Sequence, residues 1–149
     1  MESSSDERRG KILLQRRTKN RERVDYFGLW ELPQGKIRAG EYLFDAAKRE
    51  LKEEAGLEIL EISGAHDHQH MKILSSSIDV VKTSLCVIDN EHNYFAFPLV
   101  VRILGSPLPT HEASEHIWVS KGEVTNLINS NLVFPLNVPI ILDYFGEGE

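Results

Sequence analysis

The chain contains a single cysteine, Cys86, so no disulfide can form between two of its own residues. A disulfide-stapled secreted domain is thereby excluded, and this cysteine usage favours a reducing cytosol. No apolar run approaches the roughly 18 residues of a membrane-spanning helix. Residues 1–6 lack the apolar core of a secretory signal. We therefore expect a cytoplasmic protein with no membrane association, and we expect Cys86, within an apolar run, to be a small core residue.

The composition is that of an ordinary globular protein. The chain has 149 residues, of which 41% are hydrophobic and 27% charged. This length suits one domain with a sizeable core. We expect a polar N-terminal tail over residues 1–10 and a single domain over residues 11–149, forming a monomer or a homodimer. No internal repeat is present.

Charge is unevenly distributed along the chain, although the formal net charge is −6. Eight basic residues fall within the first 23 positions: Arg8, Arg9, Lys11, Arg16, Arg17, Lys19, Arg21 and Arg23. Such a stretch beside acidic residues favours a polyanionic partner, although part of it is also expected to be a solvated loop.

The segment 35–57 carries most of the functional information. Gly35 is followed after five residues by Glu41, and after seven more by R-E-L-K-E-E-A-G-L over residues 49–57. A helix over about residues 43–55 is predicted, ending at Gly56, where a left-handed C-terminal cap favours glycine. An isolated E-x-x-E-E usually marks a solvated surface helix. The two glycines, Glu41 and Arg49 together are not needed for such a helix.

Three glutamates of this helix are spaced for one face. Glu50, Glu53 and Glu54 stand at i, i+3 and i+4, which places them on one exposed acidic face. Like charges there repel by about 0.2–0.5 kcal/mol per pair, which a hard divalent cation would remove. Mg²⁺ takes oxygen ligands and bridges to substrate phosphates, so the spacing predicts a Mg²⁺ site, with Mn²⁺ as the alternative ion. Gly35 can bring its backbone carbonyl close to such a metal.

The whole segment matches, position for position, the box G-x5-E-x7-R-E-U-x-E-E-x-G-U, where U is apolar, and so resembles the Nudix hydrolase family, in particular its MutT-like members. The resemblance implies an α/β fold, an α/β/α sandwich with a mixed sheet. It implies hydrolysis of the pyrophosphate bond in a nucleoside diphosphate linked to another moiety. The implied metal ligands are Glu50, Glu53, Glu54 and the Gly35 carbonyl, with Glu53 and Glu54 also counted as catalytic. Glu41 is expected to be structural.

The resemblance extends from about residue 11 to the end. It places a water-activating base at Glu112, with Glu115 as the alternative. It places Arg17 against the substrate phosphates and Lys36 among the substrate-binding residues. Asn137 falls where MutT has an asparagine that reads an oxidised guanine, although its position favours a helix N-cap over a base contact, and one residue can do both.

The sequence pattern is compatible with several nucleotide substrates. We expect a purine nucleotide, with an oxidised purine triphosphate first and ADP-ribose, a dinucleoside polyphosphate or capped RNA as alternatives. RNA would bind through the basic N-terminal stretch, and DNA is not expected. A Nudix-fold module that binds nucleotide or RNA without turnover is the competing class of function.

Two features depart from the family pattern. Only the polar residues 1–10 precede the strand predicted at 11–17, so the family's first strand is expected to be missing or displaced. Gln34 stands where MutT-like members usually have glycine, and a Q-G or K-G pair occurs in relatives that act on dinucleoside polyphosphates and capped RNA.

The remaining pattern predicts short strands and two more helices. Strands are expected over residues 11–17, 29–32, 58–73 (or a hairpin there), 78–88, 94–104 and 117–119. Pro98 within 94–104 indicates an edge strand or a bulge. Helices are expected at 121–129, capped by Ser120, and from about residue 137 to 145. His66, His68 and His70 alternate, so a strand would place them on one face, as a second metal site or as a polar surface.

Overall fold

The computed structural model describes residues 8–17, 28–111 and 113–146, and for Arg17 the backbone alone. The strands in these ranges are β1 Ile12–Arg17, β2 Trp30–Glu31, β3 Glu58–Ile62, β4 Gln69–Ile73, β5 Ser76–Val80, β6 Val87–Asp89, β7 Tyr94–Ala96, β8 Val101–Leu104 and β9 Ala113–Val119. The helices are α1 Leu43–Ala55, α2 Lys121–Asn129 and α3 Val138–Tyr144, with short 3₁₀ segments at Ala65–Asp67 and Pro135–Asn137. The expectation for the family's first strand depends on residues 1–10, of which 1–7 lie outside this description.

Strand β1 is the centre of a three-stranded sheet in the order β2-β1-β9. Its pairing with β9 is antiparallel, with Leu13 opposite Trp118 and a register shift between Arg16 and Arg17. The pairs β3–β8, β4–β5 and β6–β7 are also antiparallel. Within the described residues, the parallel component of the expected mixed sheet is the isolated bridge between Trp30 and Val133.

Helices cover both faces of β1, as its alternating side chains require. On one face Leu14 packs with Val124 of α2 and Ile141 of α3. On the other face Leu13 packs with Leu51 and Ala55 of α1. Full burial of a leucine contributes about 1.5–3 kcal/mol, so these two clusters supply much of the folding energy. The predicted α/β/α arrangement is confirmed.

Helix α1 has the bounds predicted from the sequence. Gly56 takes φ 68° and its N–H bonds the carbonyl of Lys52, which is the expected left-handed end. At the other end Tyr42 provides no side-chain cap. The Leu43 N–H instead donates to Asp79 Oδ2 on β5, at 2.8 Å. The first turn of the helix is therefore capped by a residue 36 positions away.

The three alternating histidines do not share a strand face, so that expectation is wrong. His66 lies in the 3₁₀ segment and His70 in β4, with His68 between them. The His70 ring lies 4.8 Å from the ring of Tyr42, and the His68 ring 5.4 Å from that of Phe44. The β4–β5 hairpin therefore docks on the first turn of α1.

Two other expectations also need correction. The strand expected at 94–104 is divided into β7 and β8, with Pro98 in the break, because proline lacks the N–H that a sheet ladder requires. The strand expected at 78–88 is interrupted between Val80 and Val87, so Cys86 lies outside regular structure and is exposed. Cys86 is not a core residue. Among the described residues, no helix is both long and apolar enough to cross a membrane.

Helix α2 begins with a reciprocal cap, as predicted for Ser120. The Glu123 N–H donates to Ser120 Oγ at 3.3 Å, and the Ser120 N–H donates to Glu123 Oε1 at 3.2 Å. Hydrogen bonds to the Glu123 carboxylate from the side chain and the backbone N–H of Ser120 lower the pKa of Glu123. Ser120→Ala should cost about 0.5–2 kcal/mol in the free energy of unfolding, measured by urea denaturation at neutral pH. Ser130→Ala, at the other end of α2, is the matched control, and an equal loss in both variants would contradict a specific cap.

Candidate active site

The three box glutamates differ in burial, which the sequence did not indicate. The Glu53 side chain is 38% exposed and that of Glu50 is 19% exposed, whereas Glu54 is only 1% exposed. The expectation of one exposed acidic face is therefore wrong for Glu54. Its Oε2 accepts a hydrogen bond from the Gln34 N–H at 2.9 Å, so the carboxylate is tied to the loop before the helix.

Arg49 binds several groups at the centre of the site. Its Nε and Nη2 donate to the two oxygens of Glu41 at 2.8 and 2.9 Å, a bidentate pair. Its Nη1 contacts Glu50 at 2.7 Å and Glu53 at 3.2 Å. Its Nη2 also donates to the carbonyl of Lys36 at 2.9 Å. One guanidinium thus joins α1 to the loop on which Gly35 lies.

The pairing of Glu41 with Arg49 predicts a specific pH dependence of stability. Hydrogen bonds from the Arg49 side chain, together with one from the Arg38 N–H, lower the pKa of Glu41 from 4.5 to about 2. A carboxylate whose pKa is lower in the folded state stabilises the fold at pH values above its pKa in the unfolded chain. This stabilisation is lost as the pH falls through about 2. Glu41→Gln should therefore have a lower midpoint of thermal unfolding than wild type at pH 7. The difference between the two midpoints should shrink as the pH is lowered from 5 towards 2. A gap in the midpoint of thermal unfolding that does not depend on pH would contradict this pairing.

Gly35 lies directly against Glu50. A Cβ added at this position would overlap the carboxyl end of the Glu50 side chain. The backbone at Gly35 can therefore approach the glutamates only because the residue has no side chain. Lys36, next to it, is exposed.

A groove of about 640 Å³ opens beside these residues. Gly35, Glu50 and Glu54 line one part of it. The rest is mainly apolar and includes residues of β1, the segment between β7 and β8, and α3, among them Leu13, Phe97, Pro98, Val100 and Ile140. Glu50 and Glu54 thus line a cavity of a size typical of ligand sites.

The donor groups fit a hard divalent cation by their chemistry. Three carboxylates and the Gly35 backbone offer only oxygen ligands, which Mg²⁺ and Mn²⁺ prefer. Glu50 and Glu53 are both paired with Arg49, and Glu54 with Gln34. Accordingly, no three His, Cys, Asp or Glu side chains in the described part of the chain converge as a metal centre.

Of the two residues predicted as the water-activating base, the structure describes only Glu115. Glu112 lies outside the described residues. Glu115 pairs across the sheet with Arg16 at 3.5 Å, and Arg16 stacks on Trp30 in the cluster below the sheet. Glu115 therefore lies on the face away from α1.

His116 of β9 contacts the backbone of α1, which sequence reasoning missed. Its Nε2 lies 3.1 Å from the carbonyl of Glu54. Burial lowers the pKa of His116, opposed by its contact with that carbonyl. The sequence did carry a signal for this contact, because side chains alternate along a strand and residues 116 and 118 therefore lie on the same face of β9.

Two substrate-binding candidates remain. The backbone of Arg17 lies at the register shift of β1, opposite Ala113, and its side chain is outside the description. Asn137 occupies the N-cap position of α3, as expected, but its side chain makes no capping hydrogen bond, so that part of the expectation is wrong. Its Oδ1 accepts from the Leu32 N–H at 2.9 Å, and its Nδ2 donates to Gln34 Oε1 at 3.2 Å.

Comparison with known proteins agrees with this architecture. The family model described as NUDIX domain matches residues 5–134. A MutT structure from a study of Aliivibrio salmonicida and Vibrio cholerae is 25% identical, with a TM-score of 0.53, covering 93% of this chain and 87% of that one. The MutT protein of Methanosarcina mazei Go1 is 20% identical, with a TM-score of 0.56, covering 95% and 87%.

One curated relative matches over a shorter stretch. An RNA pyrophosphohydrolase of Bartonella clarridgeiae is 46% identical over 55 residues, which are 36% of this chain. The chain spans about a third of the length of that relative, 32%. Because the NUDIX model covers most of the sequence, the chain belongs to the NUDIX domain family. The predicted resemblance and fold are thereby confirmed.

Proposed function

We propose that this chain hydrolyses a pyrophosphate bond in a nucleoside diphosphate linked to a second moiety. The observation that carries the proposal is the placement of Glu50, Glu54 and the Gly35 backbone along one groove, where the loop before α1 and α1 itself together carry the complete family box. Glu50, Glu53, Glu54 and the Gly35 carbonyl are the proposed ligands of Mg²⁺, with Mn²⁺ as the alternative. Such an ion neutralises charge on the phosphate oxygens and lowers the pKa of water.

The proposed reaction balances without a further reactant. The oxygen of a water molecule bonds to one phosphorus, and the bridging P–O bond breaks. The products are a nucleoside monophosphate and the phosphorylated second moiety. Glu112 is the proposed acceptor of the water proton, and Glu53 and Glu54 complete the catalytic set.

The groove accommodates the organic part of the substrate in this proposal. Its apolar lining suits stacking and packing, and Arg17 and Lys36 are the proposed phosphate contacts. Purine nucleotides, including an oxidised purine triphosphate, are the first substrates to test. The triphosphate end of RNA is the second candidate, supported by the 55-residue similarity to a named RNA pyrophosphohydrolase and by the Gln34–Gly35 pair. We further propose that the protein acts in the cytoplasm, as a monomer or a homodimer.

The experiment is a substrate panel with purified protein. Release of phosphate-containing products is measured with Mg²⁺, with Mn²⁺ and with a chelator. The panel contains normal and oxidised purine triphosphates, ADP-ribose, a dinucleoside polyphosphate and a 5′-triphosphorylated RNA. We expect turnover of at least one compound that stops with the chelator. Tight binding of a nucleotide without turnover of any compound would instead identify a non-catalytic binding module.

A further inference from the structure

The loop before α1 is fixed by hydrogen bonds from two directions. From α1, Glu54 Oε2 accepts the Gln34 N–H at 2.9 Å. From the start of α3, Asn137 Oδ1 accepts the Leu32 N–H at 2.9 Å. Gly35 follows directly after Gln34, so its position against Glu50 depends on how the loop is held.

A third hydrogen bond connects these two. Asn137 Nδ2 donates to Gln34 Oε1 at 3.2 Å, so the two amide side chains face each other. Asn137 is only 2% exposed, and its side chain contributes no cap to α3. The buried amide is thus used to hold the loop and not to begin the helix.

We propose that Gln34 and Asn137 form an amide pair that positions the loop, and through it Glu54 and the Gly35 backbone. The continuous path from Asn137 to Gln34 to Glu54 joins α3 to α1. Ligand groups must be held to about 0.5 Å by their supporting residues, and connected buried hydrogen bonds reinforce one another. This inference deepens the proposed function and rests on it for its catalytic consequence.

The amide pair also changes the expected role of Asn137. An amide offers one acceptor oxygen and two donor hydrogens, and here both ends already bond to the loop. A nucleobase that took over these bonds would leave buried groups of the loop unpaired, at about 1–3 kcal/mol each. These bonds to the loop support the assignment of Asn137 as a positioning residue, and we expect selectivity among bases not to depend on it.

Three substitutions separate positioning from base reading. Asn137→Asp keeps an oxygen for the Leu32 N–H but replaces the donor to Gln34 with a second oxygen. Gln34→Ala removes the side chain and keeps the backbone N–H to Glu54. Gln34→Glu keeps an acceptor for Asn137 Nδ2 and is the conservative rescue variant.

We expect Asn137→Asp and Gln34→Ala to lower turnover to a similar extent and without additivity. Asn137→Asp and Gln34→Ala should each lower kcat by about 10-fold, as the loss of a buried hydrogen bond predicts. The double variant should be no worse than the poorer single variant, because both remove the same contact. Gln34→Glu should stay close to wild type. The ratio of KM values for guanine and adenine nucleotides should not change in any variant.

A measurement independent of turnover is hydrogen exchange at the Gln34 N–H. Wild type should protect this amide, and Asn137→Asp should speed its exchange while amides in the middle of α1 keep their rates. Additive kinetic losses, a KM change confined to one base, or unchanged exchange would each overturn the proposal. Absence of turnover in wild type would refute the proposed function alone, because the exchange experiment still tests the amide pair.

Discussion

Glu53→Gln is expected to lower kcat by at least about 100-fold while leaving the free energy of unfolding nearly unchanged, because it removes a proposed metal ligand and not a core contact. Glu53 is the most exposed of the three box glutamates, and its contacts with Arg38 and Arg49 lie at 3.5 and 3.2 Å. Ion pairs at such exposure contribute about 0–1 kcal/mol. Steady-state kinetics and urea denaturation of the same preparations provide the two readouts.

The matched control for this substitution is Glu58→Gln. Glu58 is 66% exposed, lies just after α1, and contacts Lys52 at 3.7 Å. It should retain wild-type kcat, since it is outside the box. Glu54→Gln should differ from both by losing activity and stability together, because the Glu54 carboxylate is buried and holds the loop. Wild-type turnover in Glu53→Gln would exclude it as a ligand.

Gly35→Ala is expected to abolish most activity through a steric effect. The new Cβ would overlap the Glu50 carboxyl end, so either that side chain or the loop must move. Misplacement of a reacting group by about 1 Å can cost about 100-fold in rate, and we expect a loss of at least that size. The measurement is kcat with saturating Mg²⁺, together with the midpoint of thermal unfolding.

Gly122→Ala is the control for this change in volume. Gly122 lies in α2, and an added Cβ there meets nothing within 4 Å. Alanine replaces glycine in a helix with a gain of about 0.5–1 kcal/mol, so this variant should be fully active and more stable than wild type. Full activity in Gly35→Ala would show that the close approach at Gly35 has no role in turnover.

The sequence predicted α1 well because its signals are local. The i, i+3, i+4 spacing, the apolar stripe and the glycine at the end all act within one helix, and the predicted bounds 43–55 are those observed. The same holds for α2, whose cap is formed by Ser120 and a residue three positions later. Local patterns of this kind need no knowledge of which distant segments meet.

The features that the sequence did not predict all depend on distant contacts. Glu54 is buried because the loop at Gln34 folds over it, 20 residues away. Asp79 caps α1 from the β4–β5 hairpin, and that docking places His68 and His70 against aromatic rings. The amide of Asn137 bonds to a loop more than 100 residues earlier in the chain. None of these pairings has a periodic signal along the sequence.

The most direct test of the central claim is isotope incorporation during turnover. Wild type and Glu53→Gln are incubated with the best nucleotide of the panel and Mg²⁺ in ¹⁸O-labelled water, and the products are analysed by mass spectrometry. We predict one ¹⁸O atom in a phosphate of one product for wild type, and little product without the divalent ion or with Glu53→Gln. Equal labelled product from wild type and Glu53→Gln, or product that forms equally in the presence of a chelator, would contradict metal-dependent pyrophosphate hydrolysis at this site.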